Sequence, residues 1–92
     1  MTDKVTRRLD IVNEKGLHAR AAAKLVEVVE GFDARVEVSL GGQSASGDSI
    51  MGLLMLAAAK GTTIDVQIAG PDAVPLADAV AALVANRFGE DM

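Results

Sequence analysis

Phe32 and Phe88 are the whole aromatic content of a chain that is half apolar, and this shortage of large side chains governs what it can fold into. Sixteen of the 92 residues are alanine, so Val (11), Leu (9) and Ile (4) must supply most of the burial. Each such side chain is worth about 1.5–3 kcal/mol when fully removed from water. Small side chains let helices lie close on a sheet and do not fill a barrel or an aromatic-rich sandwich, so a two-layer α+β arrangement is favoured. At 9.5 kDa the chain is near the lower limit for a single core and is expected to form one domain over residues 1–92. That size leaves no room for a deep substrate cavity, which places any activity at the surface, against a partner.

Several function classes drop out. The chain has no cysteine, which removes disulfides, thiolate metal sites and thiol catalysis. Its single histidine, His18, excludes a His-rich zinc site and any two-histidine mechanism within the chain. A net charge of −4 and a pI near 4.7 oppose nucleic-acid binding, which calls for basic surface and stacking aromatics. There is no run of 18 apolar residues, and no apolar stretch near the N-terminus is long enough for a signal peptide. The expectation is a cytoplasmic protein with no membrane contact, no metal and no cofactor.

The apolar pattern resolves into short elements punctuated by glycine. Val5, Leu9 and Ile11 share one parity within residues 4–12, which suits a first strand. From Ala19 to Glu30, the residues Ala22, Leu25, Val26 and Val29 form one helical face, with Gly31 as its C-terminal cap. Ala34, Val36, Val38 and Leu40 alternate with polar residues, and Gly41-Gly42 turns the chain into a short polar strand near Gln43–Ser46. Asp48 or Ser49 caps a second helix expected over Ile50–Ala59 and closed by Gly61. Ile64, Val66 and Ile68 mark a fourth strand within Thr62–Ile68. Asp72 is the expected N-cap of a last helix, whose stripe would be Ala77, Val80, Ala81, Val84 and Phe88. The order is βαββαβα, a four-stranded sheet with helices covering one face.

One short stretch carries chemistry: Gly16-Leu17-His18-Ala19-Arg20. His18 stands where a glycine-containing loop meets a helix start. The first turn of a helix presents N–H groups without helical partners, here those of Ala19 and Arg20, and the helix dipole adds to their pull on an anion. A neutral imidazole at that point is a competent nucleophile toward phosphorus. Arg20 brings a permanent forked cation to the same oxygens, and Lys24, four residues on, adds positive potential to that face. The set suits phosphoryl transfer, where positioning and charge stabilisation supply most of the catalysis. With no Walker loop, second histidine or metal-binding carboxylate pair, the chain could accept and pass on a phosphoryl group but not generate one.

Gly16-Leu17-His18-Ala19-Arg20, followed some thirty residues later by Ser49-Ile50-Met51-Gly52, resembles the HPr phosphocarrier family of the bacterial phosphotransferase system, nearly from end to end. The resemblance implies an open-faced sandwich with antiparallel strand order 1-4-2-3 and three helices on one face. It implies that His18 is phosphorylated on Nδ1 by enzyme I, which draws on phosphoenolpyruvate, and that an EIIA-type protein is the acceptor. It makes Arg20 a stabiliser of the phosphoryl group and Ser49 the counterpart of a serine phosphorylated in some bacteria by a dedicated kinase. Such a protein is a carrier, monomeric, rather than a self-sufficient enzyme.

Two departures stand out. Where the family usually has proline after the arginine, this chain has Ala21, which leaves a more adaptable helix start. Before the serine it has Asp48 in place of a frequent lysine, and this carboxylate would repel an incoming phosphate. The missing proline and the acidic balance do not decide between the sugar branch of the system and its nitrogen-related regulatory branch (NPr-like), with the reading leaning slightly to the latter. Residues Ile50 to Leu56 hold too many apolar side chains for one short helix to bury, so Ile50, Met51 and Leu54 are expected to form a docking patch, with Lys24 beside it. The competing reading is a small ferredoxin-like regulatory module that binds a ligand and gives His18 no special role.

Overall fold

The computed structural model describes residues 4–92. Its elements are β1 (Lys4–Asp10), α1 (Ala19–Glu30), β2 (Arg35–Leu40), β3 (Gln43–Ser46), α2 (Ile50–Met55), β4 (Thr63–Ala69) and α3 (Ala73–Ala85), followed by a 3-10 turn at Arg87–Gly89. The sheet runs β1-β4-β2-β3 with every pair antiparallel, as the resemblance implied.

Register explains the two faces. Val5 sits opposite Ile68, which sits opposite Val36, and Leu9 faces Ile64. Ile64, Val66, Ile68, Val36 and Val38 are buried beneath the helices. The alternate positions form a polar open face, where Arg8 Nε lies 3.2 Å from Asp65 Oδ1. On the helix side Arg7 interrupts the apolar parity of β1, and its guanidinium reaches Asp78 of α3 at 3.9 Å. From α1 the core takes Ala21, Ala22, Leu25, Val26 and Val29; from α3 it takes Ala73, Leu76, Ala77, Val80 and Val84.

The structure corrects the expected boundaries in physical terms. β1 ends at Asp10, although Ile11 remains buried and its N–H still bonds to Thr62 O at 2.9 Å. α2 ends at Met55 instead of Ala59, because Leu56 and Ala58 must both turn inward. A helix covered on one face points residues two apart in opposite directions, and Ala57 takes a left-handed φ of 53° where the chain leaves the helix. Gly31 does sit at the C-cap of α1, but with an ordinary right-handed φ of −80°.

Asp72 occupies the N-cap position of α3 without capping it. Its Oδ2 accepts from Asp33 N at 2.8 Å and ties the start of α3 to the turn before β2. Ala81 is half-buried, and Phe88 is buried from the turn beyond the helix. Gly52 is explained by close packing: a Cβ there would lie 3.1 Å from Ala45 Cβ of β3.

Candidate active site at the first turn of α1

The loop before His18 is rigid for reasons that can be traced residue by residue. Gly16 has φ +67°, and a Cβ there would run into the carbonyl oxygen of Ala58 and come within 2.9 Å of Ala59 Cα. The Gly16 N–H bonds to Asn13 O at 3.2 Å, and the buried Leu17 donates its N–H to Ala58 O at 2.8 Å. Gly16→Ala is therefore expected to cost at least about 2 kcal/mol, from the left-handed backbone and the clash together. Denaturant unfolding measures it, and an unchanged midpoint would refute the account.

His18 occupies the N-cap position with extended backbone (φ −79°, ψ −178°), and its side chain does not cap the helix. The first intrahelical bond is Ala22 N to His18 O at 2.8 Å, which leaves the N–H groups of Ala19, Arg20 and Ala21 without helical acceptors. No acidic residue of the first turn competes for them. The imidazole is 28 % exposed, so one edge of the ring is reachable from solvent.

Nε2 of the ring pairs with Glu90 Oε2, a contact that no sequence signal announced, since 72 residues separate the two. Among the described residues Nδ1 has no hydrogen-bond partner. The other oxygen of Glu90 accepts from Asn13 Nδ2 at 2.9 Å. These two bonds, first the Asn13 amide and then the ring, with the positive potential of His18 and Lys15, hold the Glu90 carboxyl below the usual glutamate range.

Arg20 is exposed and forms no hydrogen bond or ion pair among the described residues, so its guanidinium is available to an incoming anion. His18, Arg20, Ala19, Lys15, Glu14 and Glu90 line one open depression of about 480 Å³. Lys24 is half-buried, and its Nζ donates to Phe88 O at 2.6 Å.

Ser49 caps α2, its Oγ accepting from Gly52 N at 3.0 Å, while the carboxylate of Asp48 turns away to Ser46 Oγ. Along α2, Ile50 is 40 % exposed and Met51 71 %, whereas Leu54 is half-buried against the core. Met55, not among the expected docking residues, is 73 % exposed one helical turn beyond Met51.

With this geometry in place, the comparisons with known proteins decide the family. Residues 5–86 match the family model described as the PTS HPr component phosphorylation site. The chain belongs to the HPr family. It is 46 % identical to the phosphocarrier protein HPr of Cupriavidus necator, over 91 % of this chain and 94 % of that one. It is 44 % identical to the phosphocarrier protein NPr of Shewanella violacea, over 95 % and 96 % of the two chains. Among solved structures, HPr-C-His from Thermoanaerobacter tengcongensis superposes with a TM-score of 0.88 at 30 % identity, covering 98 % of this chain and 99 % of that one.

This HPr-family chain is thus a phosphoryl carrier of the phosphotransferase system, with system partners such as enzyme I and EIIA-type proteins. The ligand-binding alternative finds no support. No helix among the described residues is long and apolar enough to cross a membrane.

Proposed function

We propose that His18 is the phosphoryl acceptor: it receives the group on Nδ1 from phospho-enzyme I and hands it to an EIIA-type protein. The observation that carries this reading is the placement of a solvent-reachable imidazole at the N-cap of α1, with Nδ1 unpaired among the described residues and the Ala19 and Arg20 amides open beside it. The Nδ1 lone pair forms the bond to phosphorus as the donor's own bond to phosphorus breaks, and that electron pair stays with the donor. Main-chain donors, each netting about 0.5–1.5 kcal/mol, steady the group without trapping it, as a carrier requires. Arg20 supplies charge stabilisation while the group is in flight.

Ile50, Met51 and Leu54 form the docking patch, and the exposure of Met55 adds it to the same surface. The carrier works as a cytoplasmic monomer and needs no cofactor. Incubation with enzyme I and radiolabelled phosphoenolpyruvate, followed by mapping, tests the reading. The label should sit on His18, and a label elsewhere, or none, would refute it.

Ser49 borders the docking patch, and a charge placed there should weaken docking. Aspartate caps a helix as well as serine does, so Ser49→Asp keeps α2 intact and isolates the effect of charge. The expected result is a rise of about tenfold in the KM of the carrier as a substrate of enzyme I, with little change in kcat. Unchanged transfer kinetics would remove Ser49 from the interface and its kinase-dependent role with it.

A further inference from the structure

Beyond α3 the chain takes a costly path. Arg87, Phe88 and Gly89 have φ of 57°, 54° and 80° in succession. For the two non-glycine residues the left-handed backbone is strained, so the segment must be held from outside. Phe88 is completely buried, its carbonyl accepts from Lys24 Nζ, and Glu90 N bonds back to Arg87 O at 2.9 Å. These anchors deliver Glu90 to a point where its two carboxylate oxygens have different partners, Asn13 and His18. Asn13 is itself fully buried, and its amide orientation is fixed because Nδ2 also donates to Gly16 O at 2.8 Å.

We infer that Glu90 is a positioning residue for the phosphoryl acceptor, acting on the far nitrogen of the His18 ring. This rests on His18 being that acceptor. An ionised carboxylate only accepts hydrogen bonds, so the ring nitrogen facing it must carry the proton. The neutral ring is then held with its proton on Nε2 and its lone pair on Nδ1, beside the open amides. When Nδ1 bonds phosphorus, Nε2 keeps its proton and the ring becomes positive, facing the Glu90 carboxylate. When the group departs, the electron pair returns to Nδ1 and the ring is neutral again. Neither step requires a proton to be exchanged with water.

Glu90→Gln gives a sharp test because Asn13 dictates how the new amide must lie. The Asn13 donor claims the glutamine oxygen, so the glutamine NH2 faces the ring, turns Nε2 into an acceptor and moves the proton to Nδ1. Spectra of the unphosphorylated, 15N-histidine-labelled protein, recorded above the ring titration located by the same shifts, report the tautomer directly. The parent should show mainly Nε2–H and the variant mainly Nδ1–H. Labelling of the variant by phospho-enzyme I should slow at least about tenfold, since a wrongly held tautomer is a severe defect in hydrolytic triads.

A second variant, Glu90→Ala, should bring the tautomer ratio to that of free histidine in the same buffer. A loss of structure alone would shift the unfolding transition without producing this pattern. The parent's ratio persisting in both variants overturns the inference while leaving His18 as acceptor. A parent that takes no label overturns the acceptor reading, and Glu90's part in transfer falls with it.

Discussion

His18→Ala is expected to abolish acid-labile, alkali-stable labelling from phosphoenolpyruvate and enzyme I, with no residual transfer to an EIIA-type protein. The loss should be complete because the chain contains no second histidine to take over. The fold should survive, because the side chain neither caps α1 nor belongs to the buried core. Equilibrium unfolding run beside the labelling assay separates the two effects. A variant that still accepts an acid-labile phosphoryl group would place the chemistry elsewhere in the chain.

Arg20→Ala is expected to fold normally and to slow phosphoryl transfer about 10²–10³-fold, the usual consequence of deleting a group that stabilises developing charge. Stability should move in the opposite direction. A cation in the first turn opposes the helix dipole, so removing it is neutral or stabilising by up to about 1 kcal/mol, and alanine is the better helix former. Arg20 works against its own helix and pairs with no other side chain among the described residues, which leaves its guanidinium available to an anion that arrives from outside. Arg20→Lys should recover only part of the rate, because an ammonium lacks the planar fork. Transfer at the parent's rate in the alanine variant would remove Arg20 from the mechanism.

The fold was legible wherever burial follows a local period. Val36 and Val38, Ile64 to Ile68, and Leu25 to Val29 each sit on the face that their spacing indicates, because a half-buried strand or helix repeats its contacts at fixed intervals. Legibility failed where a residue's partner is distant in sequence. The carboxylate of Asp72 is drawn to the Asp33 amide, and the end of α2 is set by the inward turn of Leu56 and Ala58. The site divides in the same way. His18, Ala19 and Arg20 lie within one turn and could be read together, whereas Glu90 and Asn13 reach the ring only after the chain has closed on itself.

The bond from Leu17 N to Ala58 O, with Gly16 pressed against the same peptide, has a mechanical consequence. It fastens the segment that bears the reactive ring to the segment that leaves the methionine-rich helix. A protein that grips Met51 and Met55 therefore has the imidazole already aimed at a set bearing from its own surface. Under the proposed function, two successive partners would share one grip and find the same nitrogen, without the carrier having to change shape between receiving and giving.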